Sequence, residues 1–261
     1  MKNKNTSVEV NQYTDLRLET LFIGHNLLYF EKLDSTNTFL SQNIEKYLEG
    51  TVIIAGEQTA GRGQRGNQWK SNPNENLTFS LLLKPNFIIP QNQFDLNMVI
   101  CLALQKTLSV FLGEGVKIKW PNDIFYNNKK IAGVLIENTL KGTQIENTIV
   151  GIGLNINQID FDYPHASSMQ AITAKKYQLE NILINLLKNI EEYYLMLKNT
   201  NNLLKKHYLE HLYRFNEDSF FRANNETWKG KIIDVERSGK LVIENLQGIC
   251  SFEFKQVEFI I

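Results

Sequence analysis

Residues 57–69 read Glu57-Gln58-Thr59-Ala60-Gly61-Arg62-Gly63-Gln64-Arg65-Gly66-Asn67-Gln68-Trp69 and closely follow Thr51–Ala55, a β-branched run that predicts a buried strand. Three glycines and two arginines fall within six residues of this loop. Glycine lets a backbone approach a ligand closely, and guanidinium groups bind anions through paired hydrogen bonds. A flexible surface turn explains a glycine-rich loop equally well. The loop is neither a GxxxxGK[ST] phosphate loop nor a dinucleotide fingerprint, because no helical pattern follows it.

Strand and helix patterns surround this loop on both sides. Upstream, Asp34-Ser35-Thr36-Asn37 is a helix N-cap cluster that predicts a helix from Thr38 to Leu48. Downstream, Asp95–Leu112 is apolar nearly all round and predicts a buried helix, and residues 179–197 form an amphipathic pattern. Further strands are predicted at Asn76–Leu83, Val116–Lys119, Ile124–Tyr126, Ile131–Ile136 and Thr148–Ile152. Together they predict an α+β domain over residues 27–212, with a mixed, mainly antiparallel sheet, after a lead-in of residues 1–26.

The last part of the chain has a different texture. Short strands are predicted at 231–235, 241–244, 248–254 and 257–261, separated by turn residues. This even spacing predicts a small barrel-like β module over residues 213–261. A core of this size is marginal by itself, so we expect the module to pack against the main domain.

Composition narrows the class of protein. The 261 residues are 43% hydrophobic and carry no formal net charge, which argues against a broad basic surface for nucleic acid. Cys101 and Cys250 form no CxxC pair and are expected to be buried thiols. The first residues contain no apolar run typical of a signal peptide, and without a stretch of about 18 uninterrupted apolar residues no transmembrane helix is expected. We therefore expect a cytoplasmic protein.

Three further motifs carry polar residues at the ends of predicted strands. Lys119-Trp120-Pro121-Asn122-Asp123 offers a cation for phosphates and oxygen ligands for a ribose or Mg²⁺, although composition alone slightly favours a strand-to-turn corner. Lys129-Lys130-Ile131-Ala132-Gly133 places a lysine at the mouth of an apolar strand, where a solvated lysine pair is also usual. Gly151-Ile152-Gly153 is a strand against which a flat ligand can lie.

A zinc site is disfavoured. His207 and His211 have helical i, i+4 spacing, but Tyr208 stands where a zinc protease has glutamate and no third ligand is evident.

Taken together, these motifs match a family in both order and spacing. They are Leu33–Asn37, Gln58–Gly63, Gly66, Trp69, Lys119–Asp123, Lys130–Gly133 and Gly151–Asn157. Over about residues 28–255 the chain resembles the biotin protein ligases, also called biotin–[acetyl-CoA-carboxylase] ligases. The resemblance implies a catalytic domain related to class II aminoacyl-tRNA synthetases and an SH3-like C-terminal barrel. It also implies that biotin is activated with ATP and Mg²⁺ to biotinyl-5′-AMP and transferred to a lysine of a biotin carboxyl carrier protein.

The resemblance also implies roles for individual residues. The biotin-binding set would be Ser35, Thr36, Asn37, Gln58, Gly61, Arg62, Gly63, Gln64, Lys130 and Gly133. The nucleotide-binding set would be Trp69, Lys119, Asn122, Asp123 and Asn155, with Asp123 also a candidate Mg²⁺ ligand and no structural metal. Lys130, Arg62 and Arg65 would be the catalytic cations.

Two features differ from the family. The first concerns the loop, which in the family usually reads Gly-Arg-Gly-Arg-x-Gly-Arg, and the second concerns the longer family members. Gln64 and Asn67 replace two arginines, which leaves open how tightly the activated intermediate is retained. The Ser-Thr-Asn motif begins at position 35, so no DNA-binding helix-turn-helix domain fits before it. We therefore expect a monofunctional enzyme, monomer or homodimer, with no DNA or membrane partner.

Three other functions stay open from the residues. A lipoate ligase would share the domain but not a polar ring-binding set such as Ser35, Thr36, Asn37 and Gln58. A non-catalytic biotin sensor is opposed by Lys119, Asn122 and Asn155 on the nucleotide side. A nucleic-acid-binding barrel is opposed by the zero net charge.

Overall fold

The computed structural model describes residue 13, residues 16–199 and residues 202–260, apart from the side chains of Arg65 and Asn202. Within these residues the larger sheet has seven strands in the order β1-β2-β3-β7-β6-β5-β4. Its strands are β1 (Leu27–Leu33), β2 (Val52–Gln58), β3 (Leu77–Leu83), β4 (Val116–Lys119), β5 (Asp123–Tyr126), β6 (Lys129–Lys141) and β7 (Gln144–Leu154). The β1–β2 pair is parallel and the other neighbours are antiparallel. The predicted mixed, mainly antiparallel sheet is confirmed.

Helices cover both faces of this sheet. The helices are α1 (Thr36–Gln42), α2 (Phe94–Leu112), α3 (Met169–Thr173), α4 (Leu179–Asn199) and α5 (Asn202–Glu210). Strand residues alternate between the faces: Ile53 and Leu82 pack with Leu40 of α1, whereas Val52 and Ile54 join the larger core that contains α2 and α4. Because both faces are covered, β3 is buried along its whole length.

Helix α2 is the most apolar element of the core. The segment Pro90–Gly115 that contains it is long and apolar enough to cross a membrane by length and composition alone, yet 72% of its apolar window is buried inside the fold. It packs between the sheet and α4, which accounts for its apolar character.

The smaller sheet is formed by the C-terminal residues and has five antiparallel strands, within the described part of the chain, in the order β11-β10-β9-β8-β12. Its strands are β8 (Asp218–Ala223), β9 (Glu226–Val235), β10 (Leu241–Asn245), β11 (Gly248–Phe252) and β12 (Glu258–Phe259). It packs directly on the main domain: the Trp120 indole donates a hydrogen bond to the Gly239 carbonyl at 2.8 Å. Phe221 and Ile232 extend the main apolar core into the module.

Several element boundaries differ from those predicted. Helix α1 begins at Thr36 rather than Thr38, because the Ser35 hydroxyl caps it by accepting from the Thr38 amide at 3.4 Å. It ends at Gln42 rather than Leu48. Strand β1 was not predicted, since its residues are only partly buried and lack a clean alternation. Strand β8 was also missed, although its exposed and buried residues alternate.

Candidate active site

Two adjoining cavities lie over the larger sheet. The first is a pocket open to solvent, with about 450 Å³ of empty space above β3, β6 and β7, close to the N-terminus of α1 and the glycine–arginine loop. The second is an open cleft of about 1950 Å³ between the end of that loop, β5 and residues 155–166. Trp69 and Lys130 line both cavities, so their side chains form the border between them.

The first cavity gathers most of the set predicted to bind biotin. The members that line it are Ser35, Thr36, Asn37, Gln58, Arg62, Gly63, Gln64, Lys130 and Gly133. Gly61 does not line it. The Trp69 amide donates to the Gly61 carbonyl at 3.0 Å, and a side chain at Gly61 would collide with the Trp69 carbonyl oxygen. Gly61 therefore serves the close approach of the two arms of the loop.

The second cavity gathers four of the five residues predicted to bind a nucleotide: Trp69, Lys119, Asp123 and Asn155. Asn122 is the exception and lines the first cavity instead. Its side-chain amide donates to the Val134 carbonyl, and the Val134 amide donates to the Asn122 carbonyl at 3.0 Å. These two bonds anchor the corner between β4 and β5 onto β6, and the nucleotide role of Asn122 stays a prediction.

The Trp69 indole packs against Gly133 of β6 and Gly153 of β7, which have no side chains. A methyl group built at Gly153 would overlap the indole ring, and one at Gly133 would lie 3.3 Å from it. The Lys130 ammonium lies 5.8 Å from the indole centroid. Within the described residues, the indole Nε1 is buried without a hydrogen-bond partner. The glycines of β6 and β7 thus make room for a flat wall between the cavities.

Lys130 is held at the border by its backbone and by its charge. Its amide donates to the His165 carbonyl at 2.7 Å, and its carbonyl accepts from the Ser167 amide at 2.9 Å. Its ammonium lies 2.6 Å from the Asp123 carboxylate, with both side chains mostly buried. A fixed, partly desolvated cation of this kind acts strongly on a nearby anion.

Lys119 lies at the end of the second cavity under two aromatic rings. Its ammonium is 5.0 Å from the centroids of both Phe125 and Phe259, and Phe259 belongs to the C-terminal module. Burial lowers the pKa of Lys119 below its ordinary value of 10.5, with the positive charges of Lys130 and Arg214 acting in the same direction and Asp123 opposing them. A bound phosphate would supply the negative charge that stabilises this ammonium.

Asn155 presents an acceptor without a donor. Its side-chain nitrogen donates to the Ser167 carbonyl at 3.0 Å, while its Oδ1 is buried and, within the described residues, has no partner. A buried unsatisfied acceptor in a cavity wall is costly unless a ligand supplies a donor.

Arg62, one of the two predicted catalytic arginines, lines the first cavity and is paired there. Its guanidinium makes two hydrogen bonds to the Glu137 carboxylate, at 2.6 and 3.3 Å. The Arg65 side chain lies outside the described part of the structure.

Sequence reasoning missed the polar layer behind the first cavity. Ser80 of β3 is fully buried and contacts Thr36 and Asn37, and Glu137 of β6 contacts Asn37 and Arg62. A signal for Ser80 was available, because Thr78 and Ser80 alternate with apolar residues in β3 and so share one face. No comparable signal marks Glu137.

Comparison with known proteins gives consistent results. Residues 29–155 match the family described as the Biotin/lipoate A/B protein ligase family. The chain is 29% identical over 240 residues to the bifunctional ligase/repressor BirA of Bacillus spizizenii, covering 89% of this chain and 73% of that protein. It is 36% identical over 129 residues to the biotin–[acetyl-CoA-carboxylase] ligase of Paracoccus denitrificans, covering 48% of this chain and 52% of that protein. The biotin protein ligase from Aquifex aeolicus, solved with biotin and ATP, superimposes with a TM-score of 0.77 at 28% identity, covering 90% of this chain and 99% of that one.

Proposed function

Because this chain belongs to the biotin/lipoate A/B protein ligase family, we propose that its two adjoining cavities hold biotin and ATP and that it is a biotin protein ligase. The enzyme activates biotin to biotinyl-5′-AMP and transfers the biotinyl group to a lysine of an acceptor protein.

The observation that carries this proposal is the position of Lys130 and Trp69 on the border of both cavities. Joining a carboxylic acid to AMP requires two anions, the carboxylate and the α-phosphate, to approach each other. A cation at the border lowers their repulsion and stabilises the charge that develops on the phosphate oxygens.

The two cavities suit different ligands. The polar end of the first, formed by Ser35, Thr36, Asn37 and Gln58, suits the ureido ring of biotin. The second suits the nucleotide, because Lys119 faces it and because Trp69 Nε1 and Asn155 Oδ1 have no partners among the described residues.

The chemistry follows from this placement. In the first step an oxygen of the biotin carboxylate attacks the α-phosphorus of ATP, and pyrophosphate leaves with the electron pair of the broken bond. In the second step the acceptor lysine amine attacks the carbonyl carbon, loses a proton, and AMP leaves. Lys130 stabilises the negative charge in both steps, and Arg62 and Arg65 are the further candidate cations.

Mg²⁺ is proposed to enter with ATP as part of the substrate. Among the described residues, no group of three or more His, Cys, Asp or Glu side chains could hold a metal ion. Asp123 lines the second cavity and is the candidate oxygen ligand, with its carboxylate already 2.6 Å from the Lys130 ammonium.

The acceptor is proposed to be a biotin carboxyl carrier protein. The name of the Paracoccus denitrificans relative, which contains acetyl-CoA carboxylase, supports this proposal. A cytoplasmic location, the absence of a DNA or membrane partner, and a monomeric or homodimeric state stay predictions.

The test is incubation of the protein with biotin, Mg-ATP and a carrier domain, with the mass of the carrier as the readout. One biotinyl group is expected on the carrier, and none on a carrier whose acceptor lysine is replaced by arginine. Lipoate in place of biotin tests the alternative activity in the same family. Modification with lipoate but not with biotin would contradict the proposal.

A further inference from the structure

A chain of hydrogen bonds links the polar end of the first cavity to a single carboxylate. Glu137 accepts from the Asn37 side-chain nitrogen at 2.8 Å, and Asn37 Oδ1 lies 2.5 Å from the Ser80 hydroxyl. The Ser80 hydroxyl also lies 2.7 Å from the Thr36 hydroxyl, which in turn lies 3.1 Å from Gln58 Oε1. Ser80, Thr36 and Asn37 are each at most 3% exposed.

The orientation of both terminal amides in this chain is determined by their neighbours. A carboxylate accepts hydrogen bonds and donates none, so Asn37 must turn its nitrogen to Glu137 and its oxygen to Ser80. Gln58 must present its oxygen to Thr36, because the Thr36 amide donates to it at 2.8 Å. The chain therefore ends in an acceptor at both sides.

The chain between these acceptors lacks one proton. Three oxygen–oxygen contacts lie between Asn37 Oδ1 and Gln58 Oε1, but only the hydroxyls of Ser80 and Thr36 can donate, one proton each. One contact is left without a hydrogen at any moment. Turning the Asn37 amide over would supply the missing donor, but it would place the Asn37 oxygen against the Glu137 carboxylate.

We propose that Glu137 is a positioning residue that keeps this polar end one donor short, so that the cavity selects a ring that donates N–H hydrogen bonds. The proposal rests on the proposed function, since the two ureido N–H groups of biotin are such donors and the dithiolane ring of lipoate has none. Thr36 and Asn37 line the cavity, so a ligand N–H can reach the unfilled acceptors. Glu137 is not one of the described residues that line the cavity, so it acts through Asn37.

The arrangement is held rigidly. A side chain at Gly151 would collide with Asn37 Oδ1, so Asn37 packs directly on the backbone of β7. The Glu137 carboxylate is fixed from the other side by the two hydrogen bonds from Arg62. In a buried cluster, an acceptor left unfilled costs more than it does in water, so the missing donor becomes a binding preference.

The test replaces Glu137 with glutamine, which has the same shape and can donate as well as accept. In Glu137→Gln the Asn37 amide is free to turn over and the cluster can satisfy itself. The matched control is Glu57→Gln: Glu57 lies on β2, forms an ion pair with Lys32 at 2.7 Å, and has the same side-chain exposure as Glu137, 33%. Both variants lose one partly exposed ion pair, which contributes little to stability.

Three quantities are measured on the full chain: the biotin Kd by calorimetry, the KM for ATP, and the melting temperature without ligand. We expect Glu137→Gln to raise the biotin Kd about tenfold or more relative to Glu57→Gln, as for a buried hydrogen bond to a polar group, while the KM for ATP and the melting temperature stay close to the control.

The possible failures are distinct. An equal biotin Kd in the two variants overturns the role of Glu137. A parallel loss of biotin affinity, ATP affinity and thermal stability also overturns it, because it would show that Glu137 only supports the fold. Failure of the unaltered protein to bind biotin at all refutes the proposed function instead.

Discussion

Replacing Lys130 with alanine removes a cation that borders both cavities, and its effect on activity and on stability can be worked out separately. Its ammonium lies 2.6 Å from the Asp123 carboxylate, with side-chain exposures of 27% and 22%. Loss of one well-placed electrostatic donor typically costs about 3–4 kcal/mol of transition-state stabilisation, or roughly 10²–10³ in rate. We expect adenylate formation to slow by at least that factor.

The stability effect comes from the carboxylate that is left behind. Without Lys130, Asp123 is a mostly buried acceptor with a lost charge partner, which costs on the order of 1–3 kcal/mol. Removing the charge as well, in Asp123→Asn combined with Lys130→Ala, should return most of this stability. Activity should stay low in the double variant, since the cation is still missing.

The assay is biotin-dependent exchange of radiolabelled pyrophosphate into ATP, with urea unfolding to measure the free energy of unfolding. The control is Lys129→Ala, because Lys129 is the preceding residue of β6 and is exposed to solvent. Exchange in Lys130→Ala within tenfold of that in Lys129→Ala would refute the reasoning. So would full recovery of exchange in the double variant.

Three further predictions concern the border wall and the nucleotide cavity. Gly153→Ala should displace the Trp69 indole, since the new methyl group would overlap the ring. We expect kcat/KM for ATP to fall at least tenfold and the tryptophan fluorescence to shift. An unchanged emission maximum with normal activity would contradict this. Because burial lowers the pKa of Lys119, this side chain loses its charge at a pH below its ordinary pKa of 10.5. The KM for ATP should therefore begin to rise below pH 10.5, and Lys119→Arg, which stays charged, should reduce that rise. Between the folded-state and unfolded-state pKa values of Lys119, the folded protein binds fewer protons than the unfolded chain. The free energy of unfolding should therefore rise with pH in that interval, which urea titrations at several pH values can check. Phe259→Leu should weaken ATP binding by a few-fold through loss of a cation–π contact worth about 0.5–2 kcal/mol, with the biotin Kd unchanged; an equal change in both affinities would argue against a local effect.

Local patterns in the sequence were enough to predict much of the scaffold. The apolar run of α2 and the amphipathic pattern of α4 depend on residues within a few turns of each other, and both helices lie where they were predicted. The hairpin turn between β5 and β6 contains Asn127, which has a left-handed backbone conformation with φ of 52°, and asparagine is one of the residue types that such turns favour. The order and spacing of the motifs also predicted the family that residues 29–155 match.

Contacts between distant segments were beyond the reach of such patterns. Asn37 and Glu137 are 100 residues apart in the chain and Arg62 and Glu137 are 75 apart, yet they meet at one carboxylate. They meet because β7 pairs with both β3 and β6, and strand order across a sheet is not encoded in any local period. The contact of Asn122 with Val134 was not predicted for the same reason, since Val134 lies on another strand, β6.

The sequence by itself therefore determined which chemical groups this protein has and roughly which strands and loops carry them, because hydrophobic period and turn chemistry act over short distances. Only the tertiary structure decided which of those groups share a border, which are tied up by a partner, and which are left short of one. Those outcomes depend on how the strands are ordered side by side, and that order is set by the packing of the whole core.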